Sequence, residues 1–255
     1  SYSYSWAPSG GTAATATGLS AGTYTCTVTD ANGCTLSQNY TITQPTVLAA
    51  STSSTNVACN GATTGAASIS VSGGTASYSY AWTPTGGTGA SATGLAAGAY
   101  TCVATDANGC TIARNYTITQ PTALSISNSS TNVNCNGGTN GAASVTPSGG
   151  TTPYTYAWSN GGTSSSKTGL SAGTYTCTTT DANGCTSVTT FTITQPTTMA
   201  ATATSTNVSC NGGSNGQAVI SVSGGTSSYS YAWSPSGGTS ATASGLSAGT
   251  YTCVA

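Results

Sequence analysis

Four tryptophans divide the chain at a near-constant interval. Trp6, Trp82, Trp158 and Trp233 lie 76, 76 and 75 positions apart, and the cysteines keep the same step: Cys26, Cys102, Cys177 and Cys253; Cys34, Cys110 and Cys185; Cys59, Cys135 and Cys210. A self-similarity this long marks a domain in its own right, because solenoid repeats are only roughly 20 to 45 residues. The tripeptide QPT recurs at 44, 120 and 195, and a proline that cannot donate to a ladder makes it a natural boundary. Four segments are therefore expected: 1–46 as the C-terminal part of one unit, 47–122 and 123–197 as complete units, and 198–255 as the N-terminal part of another. The chain reads as a window cut from a longer polymer of tandem beads.

Within one unit the strand signals are short, β-branched or aromatic, and set between turn residues, the pattern of an all-β sandwich. In 47–122 strand A is read in LAASTSSTNVAC, B in AASISVSG, C in SYSYAW, F in AYTCVAT and G in CTIARNYTIT. GGTGAS is read as a polar loop and GLAAG as the corner before F. Ile69 and Val71 alternate with serines, and Tyr100 and Cys102 with threonines, so one face is buried and the other wet. Threonine suits the wet face through its strand propensity. A flat, Thr-rich ice-binding array would need a much shorter period.

Charge decides which functions are open. Lys167 and Arg114 are the only basic residues, Asp30, Asp106 and Asp181 the only acidic ones, and histidine is absent. General acid–base catalysis needs a titratable group tuned by a second one, so no enzyme and no cofactor are expected. Two cations cannot neutralise a phosphate backbone or an anionic bilayer surface, so no nucleic-acid partner is expected. Direct membrane insertion is not expected either, since no apolar run approaches the length of a span.

Three motifs recur. GTYTC at 22–26, with GAYTC at 98–102 and GTYTC at 173–177 and 249–253, resembles the start of strand F in immunoglobulin domains, where a Tyr two residues before a Cys closes a corner. Trp82 stands where the strand C tryptophan would. The resemblance implies tandem immunoglobulin-like sandwiches arranged head to tail, with Trp82 and Tyr100 as core residues. DANGC suits a type I turn followed by a left-handed Gly. Each Asp stands alone in its repeat, whereas calcium needs six or more oxygens and usually several carboxylates, so no metal site is assigned.

The third motif is the set of three cysteines per unit. Zinc would want four ligands at closer spacing, and a catalytic cysteine would want a base. Disulfides remain, which implies an oxidising, extracellular setting. If strand A runs down to the A–B turn, Cys59 ends near the corner before F and close to Cys102. The expected bonds are then Cys59–Cys102, Cys135–Cys177 and Cys210–Cys253, each closing a loop of about 43 residues that contributes roughly 4 kcal/mol on the chain-entropy model. The rival pairing takes Cys59 with Cys110 and leaves Cys102 a buried thiol in a Val-like position. Under the first, Cys34, Cys110 and Cys185 stand on exposed turns, available to a neighbouring repeat or another chain.

NVACNG (56–61), GAASISVSGGTASYSYAWTPTGG (65–87), GLAAGAYTCVATDANGC (94–110) and YTITQP (116–121) together resemble the SprB-type repeat of long surface adhesins, including gliding-motility adhesins, of the Bacteroidota. The resemblance implies a secreted, multi-repeat protein of the cell surface, exported by the type IX system. The chain departs from it in the added cysteine at 102 and its equivalents.

Two functions are expected to compete. The first is a structural stalk or filament: strands of about nine residues at roughly 3.3 Å each give about 30 Å per bead and on the order of 100 Å for the window. With QPT leading straight into the next strand, such a rod would be semi-rigid. Uncharged edge strands lack the lysines that block edge pairing, so self-association into filaments or bundles is expected. The second is an adhesive module in which Tyr78 or Tyr154 stacks on a surface polysaccharide. Sequons at Asn39, Asn115, Asn128 and Asn207, and the hydroxyl-rich surface, leave covalent glycans open as a further partner.

Overall fold

The computed structural model describes residues 1–255. Strands β1 (Ser3–Ala7), β2 (Gly22–Thr29) and β3 (Thr35–Ile42) form one antiparallel sheet in that order. The second repeat contributes β4 (Ala49–Thr55), β5 (Gly65–Ser72), β6 (Ser79–Thr83), β7 (Ser91–Leu95), β8 (Gly98–Thr105) and β9 (Thr111–Ile118). They make two three-stranded sheets, β4-β5-β7 and β6-β8-β9. The third repeat repeats the plan with β10 (Ser125–Thr131), β11 (Gly141–Ser148), β12 (Thr155–Trp158), β13 (Ser166–Leu170), β14 (Gly173–Thr180) and β15 (Thr186–Ile193), in sheets β10-β11-β13 and β12-β14-β15. In the fourth, β16 (Ala200–Thr206), β17 (Gly216–Ser223) and β19 (Thr242–Leu246) form one sheet, and β18 (Ala232–Ser234) pairs with β20 (Thr252–Val254).

The strand order A-B-E facing C-F-G is that of an immunoglobulin-like sandwich, and the chain is all-β. Period-two alternation produces it. In β8, Tyr100, Cys102 and Ala104 are buried while Thr101, Val103 and Thr105 are not. The third repeat's core draws Val145 and Leu170 from one sheet and Trp158, Cys177, Phe191 and Ile193 from the other. Tryptophan anchors each sandwich: Trp82 lies 5.1 Å from the Tyr116 ring and Trp158 5.4 Å from that of Phe191, with Trp82 Nε1 donating to the Gly89 carbonyl and Trp158 Nε1 to that of Ser164, both at 2.8 Å. On the wet faces, hydroxyls pair across strands, as Ser53 with Ser68 and Ser129 with Ser144, each at 2.8 Å.

The corner before strand F is closed by tyrosine. The hydroxyls of Tyr24, Tyr100, Tyr175 and Tyr251 donate to the carbonyls of Ser20, Ala96, Ser171 and Ser247, each at 3.1 Å. Strand E is where the structure adds to the sequence reading. The sequence reads as loop over 86–91 and as corner over 94–98, yet Ser91–Leu95 pairs with β5 from Ser68↔Ser91 to Gly65↔Leu95, with a register shift between Gly65 and Ala66. Its five residues include Gly94 in the left-handed region (φ 69°), so it carries little strand signal of its own. Burial of Ala92 and Leu95 against the core holds it in the sheet.

The chain falls into two compact units, Ser1–Val57 with Thr63–Thr119, and Ala58–Ala62 with Gln120–Ala255. The turn at 58–62 thus belongs with the second.

Candidate functional site

Two turns carry the chemistry of this chain. The first is DANGC, at the end of each F strand. Asp30 Oδ1 accepts the N–H groups of Asn32 and Cys34, both at 2.8 Å. Asp106 Oδ1 does the same with Asn108 (3.0 Å) and Cys110 (2.8 Å), and Asp181 Oδ1 with Asn183 (2.9 Å) and Cys185 (2.8 Å). The second oxygen reaches back to the turn before strand C, accepting from Thr75 N–H for Asp106 and from Thr151 N–H for Asp181, both at 2.9 Å. The Thr75 amide is the chief cause that holds the Asp106 carboxyl below the usual carboxylate range; burial opposes it, and the Cys110 and Asn108 amides reinforce it. For Asp181 burial is the largest influence and opposes ionisation, but the amides of Thr151, Cys185, Asn183 and Gly184 together outweigh it. These carboxylates spend their lone pairs on backbone donors and pin each turn to its sheet.

The second turn is CNG, between strands A and B, and it grips the end of its own repeat. Asn56 Oδ1 accepts the Thr119 N–H (2.9 Å), Asn60 Nδ2 donates to the Pro121 carbonyl (3.0 Å), and the Gly61 N–H donates to Gln120 Oε1 (2.8 Å). The third repeat matches it: Thr194 N–H to Asn132 Oδ1, Asn136 Nδ2 to the Pro196 carbonyl and Gly137 N–H to Gln195 Oε1. The threonine of QPT is held in turn by the double-glycine turn of the repeat it opens: Gly74, Gly150 and Gly225 donate to the carbonyls of Thr46, Thr122 and Thr197 at 2.7, 2.9 and 2.8 Å. QPT is thus bonded on both sides.

Cysteine pairing departs from the expectation. Cys59 is bonded to Cys185, with Cα atoms 5.7 Å apart and 126 positions between them. It is not bonded to Cys102, nor to Cys110; Cys102 is a fully buried thiol. Likewise Cys135–Cys177 and Cys210–Cys253 are not formed: Cys135 and Cys210 are exposed thiols, Cys177 is buried and Cys253 half-buried. The reason is local. Val57, not Cys59, enters the core where strand A ends, and Cys59, two residues on, sits in the CNG turn beside Gln120 and Pro121. Cys102 lies mid-strand opposite Trp82, where it packs as a small hydrophobe; burial pushes its thiol pKa up, as it does for Cys177. Cys185 reaches Cys59 because Asn183 Nδ2 bridges, donating to the Ala58 carbonyl (2.9 Å) and to Thr151 Oγ1 (3.0 Å). Cys34 and Cys110 keep exposed thiols on the equivalent turns.

The tyrosines considered for sugar stacking are half-buried. Tyr78 and Tyr154 donate their hydroxyls to the carbonyls of Gly73 and Gly149 at 2.6 Å, closing the turn before strand C. At two of the sequons, Asn39 and Asn115 accept hydrogen bonds from Thr25 and Thr101 across the wet face of their sheets. A cavity of about 460 Å³ lies over Trp233, Leu246 and Tyr251. The corresponding place in the third repeat is filled by Phe191 and Ile193 of β15, so it is a position of the core and not a ligand pocket.

Residues 51–88, 127–163 and 202–238 each match the SprB repeat, described by that name; each match runs from strand A past the tryptophan of strand C. None of the curated proteins matches the chain. Among solved structures, it is similar to the N-terminal eight Ig domains of Down Syndrome Cell Adhesion Molecule isoform 1.30.30 (14% identity, 86% of this chain and 32% of that one, TM-score 0.38). It is also similar to a structure described as the basis for Dscam isoform specificity (13%, 68% and 54%, TM-score 0.26) and to extracellular domains 3–5 of Drosophila OTK (15%, 69% and 71%, TM-score 0.30). The chain thus spans about half the length of one Dscam structure and about a third of the other.

Proposed function

Since the chain carries three SprB repeats in tandem, we propose that it is a structural repeat region of a secreted surface adhesin or filament, a stalk whose units 47–122 and 123–197 are complete beads. The observation that carries this reading is the double grip on QPT. At the third repeat's end, Gln195 and Pro196 are bonded to Gly137 and Asn136, and Thr197 to Gly225. No residue of that joint is left as a free linker, which suits a part that transmits position or force. Cys59–Cys185 suits an oxidising, extracellular site of action. Apart from Arg114 on β9 and Lys167 on β13 the outer strands carry no charge, which favours lateral association of such stalks into bundles.

Immunogold labelling of intact source cells with antibody raised against residues 1–255 tests this reading. Surface label on extended structures is the expected result, and label confined to the cytoplasm overturns it. The same purified chain on a glycan array should bind nothing; saturable binding that is lost on replacing Tyr78 or Tyr154 would make it an adhesive module instead.

A further inference from the structure

The bond between Cys59 and Cys185 joins the CNG turn of one sequence repeat to the DANGC turn of the next. Each half of that junction is built again elsewhere. Cys135 and Cys210 occupy turns like that of Cys59: their carbonyls accept from Gly138 and Gly213 N–H at 3.0 Å, as the Cys59 carbonyl accepts from Ala62 at 3.1 Å. Around Cys135 the Asn136 and Gly137 bonds to Pro196 and Gln195 reproduce those of Asn60 and Gly61 to Pro121 and Gln120.

The other half is repeated as faithfully. The N–H groups of Cys34, Cys110 and Cys185 each donate to the aspartate of their own turn at 2.8 Å. Asn108 Nδ2 donates to Thr75 Oγ1 as Asn183 Nδ2 does to Thr151 Oγ1, and only Asn183 adds the bond to a CNG-turn carbonyl, that of Ala58. Cys34, Cys110, Cys135 and Cys210 are all exposed thiols, while Cys26, Cys102 and Cys177 are buried. The two classes of turn are therefore preformed with and without the bond.

We propose that Cys135 and Cys210 are delivering halves, and Cys34 and Cys110 receiving halves, of this same disulfide. Each takes the complementary cysteine of another SprB repeat, so that the array is stapled bead to bead by a ladder of CNG-to-DANGC bonds. The core-facing cysteines take no part. Closing one rung requires a two-electron oxidant, such as a thiol–disulfide oxidoreductase or oxidised glutathione. One protein thiolate attacks the oxidant's disulfide and releases one of its thiols, and the second attacks the protein sulfur of the resulting mixed disulfide and releases the other. Two protons and two electrons leave the protein, and the oxidant ends as two thiols. The pairing rests on the observed bond and not on where the protein works, so failure of the surface-labelling experiment would leave it standing.

The complementary repeat can belong to the same polypeptide or to a second copy. The test uses the 255-residue chain, equal parts ¹⁵N-labelled and unlabelled, oxidised in a glutathione buffer at low and high protein concentration and mapped by non-reducing mass spectrometry after chymotrypsin. Cys59–Cys185 should form throughout. New cross-links at high concentration should be heterotypic, joining Cys135 or Cys210 to Cys34 or Cys110. Mixed-isotope peptides, about half of the total, would identify a second copy as the source, and single-isotope peptides with no mixed ones the same polypeptide. A Cys34→Ser, Cys110→Ser double variant should lose at least nine-tenths of these links and keep Cys59–Cys185. Absence of new links, homotypic pairs such as Cys110–Cys110, or links through Cys102 and Cys177 would overturn the proposal.

Discussion

Gly149 lies so close to Ala123 that a Cβ at this glycine would stand 2.1 Å from the Ala123 carbonyl oxygen. Its φ of 70° also lies where side chains are strained. The same contact recurs between Gly73 and Val47 and between Gly224 and Thr198, so each turn before strand C closes on the residue that follows QPT. Gly149→Ala should therefore cost about 2 to 4 kcal/mol, from left-handed strain of roughly 1 to 3 kcal/mol plus a displaced backbone. Thermal melting should show the fall. In contrast Gly184→Ala, where a Cβ meets nothing within 4 Å, should show only the conformational part.

Breaking the disulfide removes a constraint on the unfolded chain. With 126 positions between the cysteines, the chain-entropy model puts its contribution on the order of 4 to 5 kcal/mol. Cys185→Ser, or reduction by dithiothreitol, should lower the melting temperature by about 10 °C or more. Cys102→Val should change it little, because the thiol acts there as a core group; a loss as large as that of Cys185→Ser would show that Cys102 was bonded after all.

Acid should unfold this protein through very few groups. A carboxyl whose folded pKa lies below its unfolded value stabilises the fold above the unfolded value, and that stability is lost as pH falls through the folded pKa. Asp106 and Asp181 are both lowered, so melting temperature should hold flat from neutral pH to about pH 4, near the unfolded carboxyl value, and fall below it. Asp181→Asn should lower the plateau, since an amide nitrogen cannot accept from the Thr151 N–H, and should shrink the acid-dependent loss.

Thr179 is fully buried and its hydroxyl makes no well-formed hydrogen bond, although it lies close enough to the Cys177 thiol to oppose the rise that burial gives that thiol's pKa. The equivalent place in the second repeat holds Ala104. A buried unsatisfied hydroxyl costs about 1 to 3 kcal/mol, so Thr179→Val, nearly equal in shape, should raise stability by about 1 kcal/mol in denaturant titration. A loss of stability would mean the hydroxyl is satisfied in solution.

With two basic and three acidic residues in all, Coulomb attraction can contribute little to assembly. Bundles, if formed, should keep the same sedimentation profile from low salt to 1 M NaCl, where screening acts within roughly 3 Å. Dissociation by salt alone would contradict uncharged strand-edge contact.

Much of this was legible along the chain. GAYTC announced the corner that Tyr100 closes on Ala96, and DANGC announced a turn, which the amides of Asn108 and Cys110 complete on Asp106. Strand E was not, because Ser91–Leu95 is short, carries Gly94 and owes its place to Ala92 and Leu95 finding the core. Nor was the grip of NVACNG on TITQP, although the third repeat carries the matching NVNCNG and TITQP. Asn56 meets Thr119, and Asn60 meets Pro121, only after strands A and G have run to the same end of the sandwich.

Local chemistry, then, determined the repeating all-β sandwich: alternation sets which side chains enter the core, and Gly, Asn, Asp and Pro set where strands stop. Those rules act over a few residues and are written in the sequence itself. The covalent pairing was decided by tertiary structure, because a disulfide needs Cα atoms within about 4.4 to 6.8 Å. Cys59 and Cys102, only 43 positions apart, are held apart by Val57 and by the inward set of strand F. Cys59 and Cys185 are brought together because the A–B turn ends where QPT begins the next repeat, whose F–G turn returns to that same place.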